Sequence, residues 1–306
     1  IEATIDKQQD RLVGKFKQAT FDLDLNLQRN SGYVSPSFAR PQNPRKPYPY
    51  EAVELTVPTK AGFELAGTLT VPQGASAGAP APCAVLISGS GQQDRDETLL
   101  GNKPFLVIAD RLTRVGIAVF RYDDRGVGQS GGRDQLENAT SKDFADDAAA
   151  VVEFLKTQPQ IDPKRIGLIG HSEGGLIAPM VATQRDDVPF IVLLAGPGVT
   201  GREILELQGR LILKAEGQSD EDIEKFSAQQ KKVLDLALSG ASKEEITKAI
   251  EDIRDDAMAE VAPASQPQGE SDKKSALEKE QVEAQAQAVN NAWMKYFLAY
   301  DPRPTL

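Results

Sequence analysis

The chain has one cysteine and one histidine in 306 residues. With Cys83 alone no internal disulfide can form, and its place in the apolar run Cys83–Ile87 makes it a buried spectator that says nothing about compartment. With His171 alone, and no cluster of Cys, His and Asp at ligand spacing, no metal or other cofactor is implied. Positive charge is also in short supply: 35 Lys and Arg stand against 45 Asp and Glu, a formal net charge of −10. That balance argues against nucleic acid or an anionic membrane surface as the main partner. No apolar run approaches the roughly 18 residues that span a bilayer. The glycine-rich stretch Ser88-Gly-Ser-Gly-Gln-Gln-Asp-Arg-Asp96 lacks the Lys-Ser/Thr pair of a phosphate loop.

What is present is a change of period along the chain. Residues 1–28 alternate as strands do, with Ile1, Ala3 and Ile5 in one run and Phe21, Leu23, Leu25 and Leu27 in another. They are expected to finish a small β-domain. Residues 29–50, with Pro41, Pro44, Pro47 and Pro49, form an extended linker. A hairpin follows, Val53–Val57 and Phe63–Val71 around a turn at Pro58–Gly62. Strands and helices then alternate through residues 51–199: strand 83–87, helix 104–115, strand 117–122, helix 142–157, strand 166–169, a helix after Ser172, and strand 190–194. Near-continuous apolar strands between amphipathic helices predict a parallel sheet covered on both faces.

Residues 200–300 carry no strand signal. Capping-box patterns at Thr200/Glu203, Ser242/Glu245 and Ser275/Glu278, and an N-cap at Ser219, mark successive helices. Ala262–Lys274 is low in complexity and is expected to be mobile. The region is expected to be a helical cap beside the active-site edge, with a separate helical domain as the alternative. The chain starts at Ile1 without methionine or a signal-peptide pattern and stops at Pro304-Thr-Leu306, so a piece of a longer protein is expected.

The chemistry is centred on Arg165-Ile-Gly-Leu-Ile-Gly-His-Ser-Glu-Gly-Gly175. An apolar strand runs into Gly-x-Ser-x-Gly and then opens a helix. Gly170 and Gly174 allow a tight elbow that pushes the Ser172 hydroxyl out of the sheet as a candidate nucleophile. The glycine-rich turn within Ser88–Asp96 can aim backbone N–H groups at an oxyanion, with the N–H of Glu173 as a second donor. Gln92, Asp94, Arg95, Asp124 and Arg125, on loops leaving neighbouring strands, are expected to shape the pocket, with Asp123, Asp124 and Arg125 in structural rather than catalytic roles.

Together, Ser88–Asp96, Asp124-Arg-Gly-Val-Gly-Gln-Ser130 and Gly170–Gly175 resemble the α/β-hydrolase superfamily, and within it the bacterial serine-aminopeptidase-like (S33-type) esterases. The resemblance covers about residues 45–306; Trp293–Pro302 looks like the end of their cap, and residues 1–28 look like the tail of a preceding β-domain. It implies an α/β fold with a mainly parallel sheet, Ser172 as nucleophile, oxyanion donors near Ser90, Gly91 and Glu173, and the chain order nucleophile, acid, base. It also implies a small-molecule ester as substrate. A β-domain fused ahead of such an esterase fits a bacterial periplasmic or secreted location better than the cytoplasm.

The sequence departs from that pattern at one point. A serine needs a base, and the only histidine precedes the nucleophile. Neighbouring side chains diverge at an elbow, so His171 is expected to pack beside it and not against the Ser172 hydroxyl. The family's acid and base would follow residue 306, with 301–306 approaching the last strands of an otherwise incomplete sheet. A C-terminal remainder, a second chain, or a non-catalytic binding role each accounts for this, and the first is preferred. The expected activity is carboxylic ester hydrolysis, the chain by itself being nearly inactive. The alternatives are an S33-like aminopeptidase, with Glu173 holding the substrate amine, and a binding protein on a dead hydrolase fold.

Overall fold

The computed structural model describes residues 2–6, 11–18, 21–28, 40–260 and 271–306. The chain divides into two compact units, Ile1–Pro41 and Gln42–Leu306. In the first, strands β1 (Glu2–Asp6), β2 (Arg11–Gln18) and β3 (Phe21–Gln28) form an antiparallel sheet in that order, Ala3 facing Gly14 and Phe16 facing Leu23. The two alternating runs are there, and β2 lies between them. Its alternation breaks at Leu12-Val13-Gly14, which hides it from a period-2 search. Of the expected linker, residues 29–39 lie outside the described residues and 40–50 are irregular.

The second unit is built on a six-stranded sheet. Its strands are β4 (Glu51–Pro58), β5 (Glu64–Val71), β6 (Ala81–Ile87), β7 (Ala118–Tyr122), β8 (Ile161–His171) and β9 (Ile191–Leu194), in the order β4-β5-β7-β6-β8-β9. The hairpin β4–β5 joins β7 antiparallel, and β7, β6, β8 and β9 run parallel. β6 shows why both faces are covered. Cys83, Val85 and Ile87 point into one cluster with Val151 and Leu155 of helix α2 (Ser141–Leu155) and Leu176 and Ile177 of helix α3 (Gly174–Ala182). Ala84 and Leu86 point the other way, onto Phe105 and Ala109 of helix α1 (Pro104–Arg114). Each such large apolar side chain contributes roughly 1.5–3 kcal/mol on burial. Cys83 sits in this core, and burial pushes its thiol up to about 12, an inert group.

Because β6, β7 and β8 are parallel, the loops that follow them leave one end of the sheet together: Ser88 onward, Asp123 onward and Ser172. β9 lies at the edge of the sheet, with Val192 and Leu193 exposed.

Residues 200–300 are helical among the described residues: α4 (Gly201–Ala215), α5 (Asp220–Ser239), α6 (Lys243–Glu260), α7 (Ser271–Val289) and α8 (Ala292–Ala299). Leu234, Ala237, Ile246, Ala286 and Leu298 form their shared core. The Thr200/Glu203 and Ser242/Glu245 boxes are closed by reciprocal bonds, and Ser219 Oγ accepts from the Asp222 N–H. Ser275 is different. It lies inside α7, which begins four residues earlier at Ser271, so a serine upstream with helix formers between displaces the expected start. Residues 262–270 of the stretch expected to be mobile lie outside the described residues, while 271–274 are the first turn of α7. The helices and the sheet belong to one compact unit, joined where α8 packs on α2. None of the described helices is long and apolar enough to cross a membrane.

Candidate active site

The backbone at Ser172 has φ +50, left-handed, between the end of β8 and the start of α3. A non-glycine residue there is strained by roughly 1–2 kcal/mol and is held by its surroundings. The Ser172 N–H donates to Leu194 O at 2.9 Å, and Ser172 O accepts from the Gly175 N–H at 2.9 Å. The flanking glycines are required by close approach. A Cβ on Gly170 would lie 1.9 Å from Gly174 O, and one on Gly174 would lie 2.1 Å from Ile87 O. Gly-x-Ser-x-Gly is therefore a packing requirement as well as a turn requirement. Among the described residues the Ser172 hydroxyl makes no hydrogen bond, and the residue is partly exposed.

The loop after β6 lies over this elbow: a Cβ on Gly89 would stand 3.2 Å from Ser172 Cβ. The N–H groups of Ser90, Gly91 and Glu173 donate to no acceptor among the described residues. Asp124 fastens the loop. Its Oδ1 accepts from Ser88 Oγ at 2.8 Å and its Oδ2 from the Gln93 N–H at 3.0 Å, while the Asp124 N–H donates to Gln93 O. Asp124 keeps some surface yet is packed about deeply enough that burial, opposed by those two bonds, raises its carboxyl to about 8.

Arg125 is buried and clamps a neighbouring element. Its Nε donates to Asp147 Oδ2 at 2.7 Å, and its guanidinium lies over the rings of Phe63 and Phe144 at 5.2 and 5.5 Å. Burial raises the Asp147 carboxyl to about 6 although Arg125 pulls it down. Asp94 and Arg95 stand one step back from the pocket. Asp94 Oδ1 accepts from the N–H groups of Asp96 and Thr98, and Arg95 makes a two-pronged bond to Asp123 and pairs with Glu54. Their part is to hold the loop, because their polar ends are already taken. Gln92, by contrast, lines the cleft described next.

Glu173 is 2% exposed, and its Oε1 accepts from Ser141 Oγ at 2.6 Å and from Trp293 Nε1 at 2.7 Å. The carboxylate is thereby held between Ser141 of α2 and Trp293 of α8, which weighs against the alternative in which it holds a substrate amine. Asp124, Asp147, Arg125 and Glu173 enclose a cavity of about 10 Å³, room for about one water. Outside it, the Ser90–Gln92 loop, the 3-10 turn Arg133–Asn138, Phe144 and Trp293 line a wider cleft of about 670 Å³.

His171 Nδ1 lies 2.7 Å from Glu97 Oε1, and no hydrogen bond joins His171 to Ser172. Opposite a carboxylate, Nδ1 is the nitrogen that carries the proton. The same Glu97 oxygen accepts from the Gly89 N–H at 2.8 Å. Glu97, Ser141 and Phe144 escaped the sequence reading. Glu97 immediately follows the loop stretch Ser88–Asp96 but has no motif of its own.

The profile of the serine aminopeptidase S33 family matches residues 104–288. Esterase EstD of Thermotoga maritima is 32% identical over 193 residues, 63% of this chain and 40% of that protein. Thiohydrolase apmlB of Arthrinium phaeospermum is 41% identical over 80 residues, 25% of each chain. The solved esterase Pf2001 of Pyrococcus furiosus superposes with a TM-score of 0.42 at 20% identity, over 54% of this chain and 57% of that one. The chain spans less than half the length of the curated relatives it matches. With the profile covering more than half of its residues, the chain belongs to the serine aminopeptidase S33 family of α/β hydrolases.

Proposed function

We propose that this chain is the nucleophile-bearing part of a carboxylic ester hydrolase that works through an acyl-enzyme. Ser172 Oγ bonds to the ester carbonyl carbon and gives its proton to a base. The tetrahedral oxyanion is held by the N–H groups of Glu173 and of the Ser90–Gly91 turn. The alcohol leaves with a proton, and water then attacks the acyl-enzyme and restores the serine. The observation that carries this reading is the strained Ser172 under a loop whose N–H groups have no acceptor among the described residues.

The base and its carboxylate come from outside these 306 residues. His171 is the only histidine, and its Nδ1 is engaged by Glu97. The exposed apolar edge of β9 suits a further parallel strand carrying them. EstD is an esterase by name and apmlB a thiohydrolase, which favours esters and thioesters over peptides. The sequestered Glu173 carboxylate removes the amine anchor that an aminopeptidase would use here.

The test uses the natural full-length protein with p-nitrophenyl esters, aminoacyl-anilides and a fluorophosphonate probe. Ester turnover and labelling at Ser172 are expected. Anilide turnover without ester turnover would refute the choice of substrate, and absence of label on Ser172 would leave only a binding role. The 306-residue chain alone should turn over esters barely, and brisk hydrolysis by it would refute the external base.

A further inference from the structure

The geometry points to the cleft between the Ser90–Gln92 loop, the 3-10 turn and the start of α8 as the site of the substrate's acyl chain, with Trp293, pinned by Glu173, as its specificity-determining wall. This rests on the ester-hydrolase reading. At about 670 Å³ the cleft falls within the range of small-molecule pockets, roughly 300–1,000 Å³. Four of its lining residues are apolar, Leu136, Ala139, Phe144 and Trp293, and Gln92 and Asn291 add uncharged polar groups. The two charged residues that also line it, Arg133 and Glu137, are exposed, and Arg133 donates to Gly126 O at 3.2 Å, so both charges remain in contact with solvent. The favoured occupant is an uncharged, apolar chain.

Two features tie the cleft to the reacting carbonyl. Ser90 and Gly91 line it, and they are the proposed oxyanion donors. Trp293 is bonded to the side chain of Glu173, whose own N–H is the remaining donor. The indole is fixed on a second side by stacking on Phe297, centroids 5.3 Å apart and planes within 7°. A wall held this way has little side-chain entropy left to lose when a ligand packs on it. The acyl group stays attached through both half-reactions, whereas the alcohol leaves after the first. A rigid wall built from the oxyanion residues therefore serves the acyl group in both steps.

The substrate class that follows is esters of medium-length apolar acids. Each methylene placed in the cleft should raise kcat/KM by about three- to fourfold. The experiment measures kcat/KM of the natural full-length protein for p-nitrophenyl acetate and octanoate, and for acetates of different alcohols, in the wild type, Leu136→Trp and Trp293→Ala. The octanoate-to-acetate ratio should fall by about tenfold or more in both variants, one filling the cleft and the other removing its wall. An unmoved ratio, or a change in alcohol preference instead, overturns the proposal.

If the wild type hydrolyses no ester, the ester reading falls and binding decides the cleft. Trp293 is the only tryptophan of the chain. Sodium octanoate should shift the tryptophan emission of the full-length protein but not that of its Trp293→Phe variant, and sodium acetate should shift neither. An emission indifferent to octanoate overturns the site.

Discussion

One oxygen of Glu97 joins two segments of the candidate site: Oε1 lies 2.7 Å from His171 Nδ1 and 2.8 Å from the Gly89 N–H. His171 directly precedes the proposed nucleophile, and Gly89 opens the turn of proposed oxyanion donors. Glu97 is thus a positioning residue, itself 6% exposed and held at φ +52. Glu97→Ala frees the turn from the elbow, and kcat of the full-length enzyme should fall by roughly tenfold to a hundredfold with KM within about twofold. Glu97→Gln keeps an oxygen acceptor and should restore kcat to within about threefold of the wild type. Steady-state kinetics check this; a Glu97→Ala enzyme that loses only thermal stability would show the bridge to be merely structural.

At Ser172 the backbone strain and the proposed chemistry fall on the same residue. Ser172→Gly relieves a left-handed backbone at φ +50 while keeping the N–H bond to Leu194 O. Set against the extra chain entropy of glycine, a gain of about 1 kcal/mol in unfolding free energy is expected. Activity and fluorophosphonate labelling should vanish. Urea unfolding of the two proteins measures the difference, and a glycine variant no more stable than the parent would mean that the turn is not strained.

The elbow was legible in the sequence because Gly-x-Ser-x-Gly stands between an apolar strand and a helix in one continuous stretch, where Gly170 is dictated by Gly174 O; the approach of Gly174 to Ile87 O, 87 residues away, was not legible. The covering of β6 on both faces was legible too, because Cys83–Ile87 is apolar at every position and so has no face for solvent. Glu97 was not, because its role depends on a partner 74 residues away and on a backbone angle that no side chain announces. The bond between Trp293 and Glu173 spans 120 residues, and nothing in the sequence around Glu173 announces that its carboxylate is engaged. Ser275 shows the opposite failure, a sound local cap signal overridden by an earlier helix start at Ser271.

Trp293→Phe tests the bond that fastens α8 to the elbow. Phenylalanine keeps a ring to stack on Phe297 but removes the N–H that Glu173 Oε1 accepts. Glu173 is then buried with one donor, Ser141 Oγ, on that oxygen. The expected cost is about 1–3 kcal/mol of unfolding free energy. Equilibrium urea denaturation measures it, and a loss below about 0.3 kcal/mol would mean that the indole N–H contributes nothing net.

Asp124 sets a pH dependence whose sign follows from its burial. Its carboxyl is raised from 3.8 to about 8, so between those values the folded chain holds a proton that the unfolded chain has released. The stability it contributes is complete below about pH 4 and is lost as pH rises through about 8, at up to about 1.4 kcal/mol per pH unit. Asp147, raised to about 6, acts in the same direction over a narrower window. Carboxylates that arginine partners depress, such as Asp187 at about 2, act in the opposite sense but below about pH 4. Asp124→Asn cannot titrate. Relative to the wild type it should gain stability steadily from about pH 5 to about pH 8, the slope from Asp147 being common to both proteins and cancelling in the difference. Urea midpoints of both proteins across that range decide the point: parallel curves would mean that Asp124 is ionised throughout and that burial does not control it.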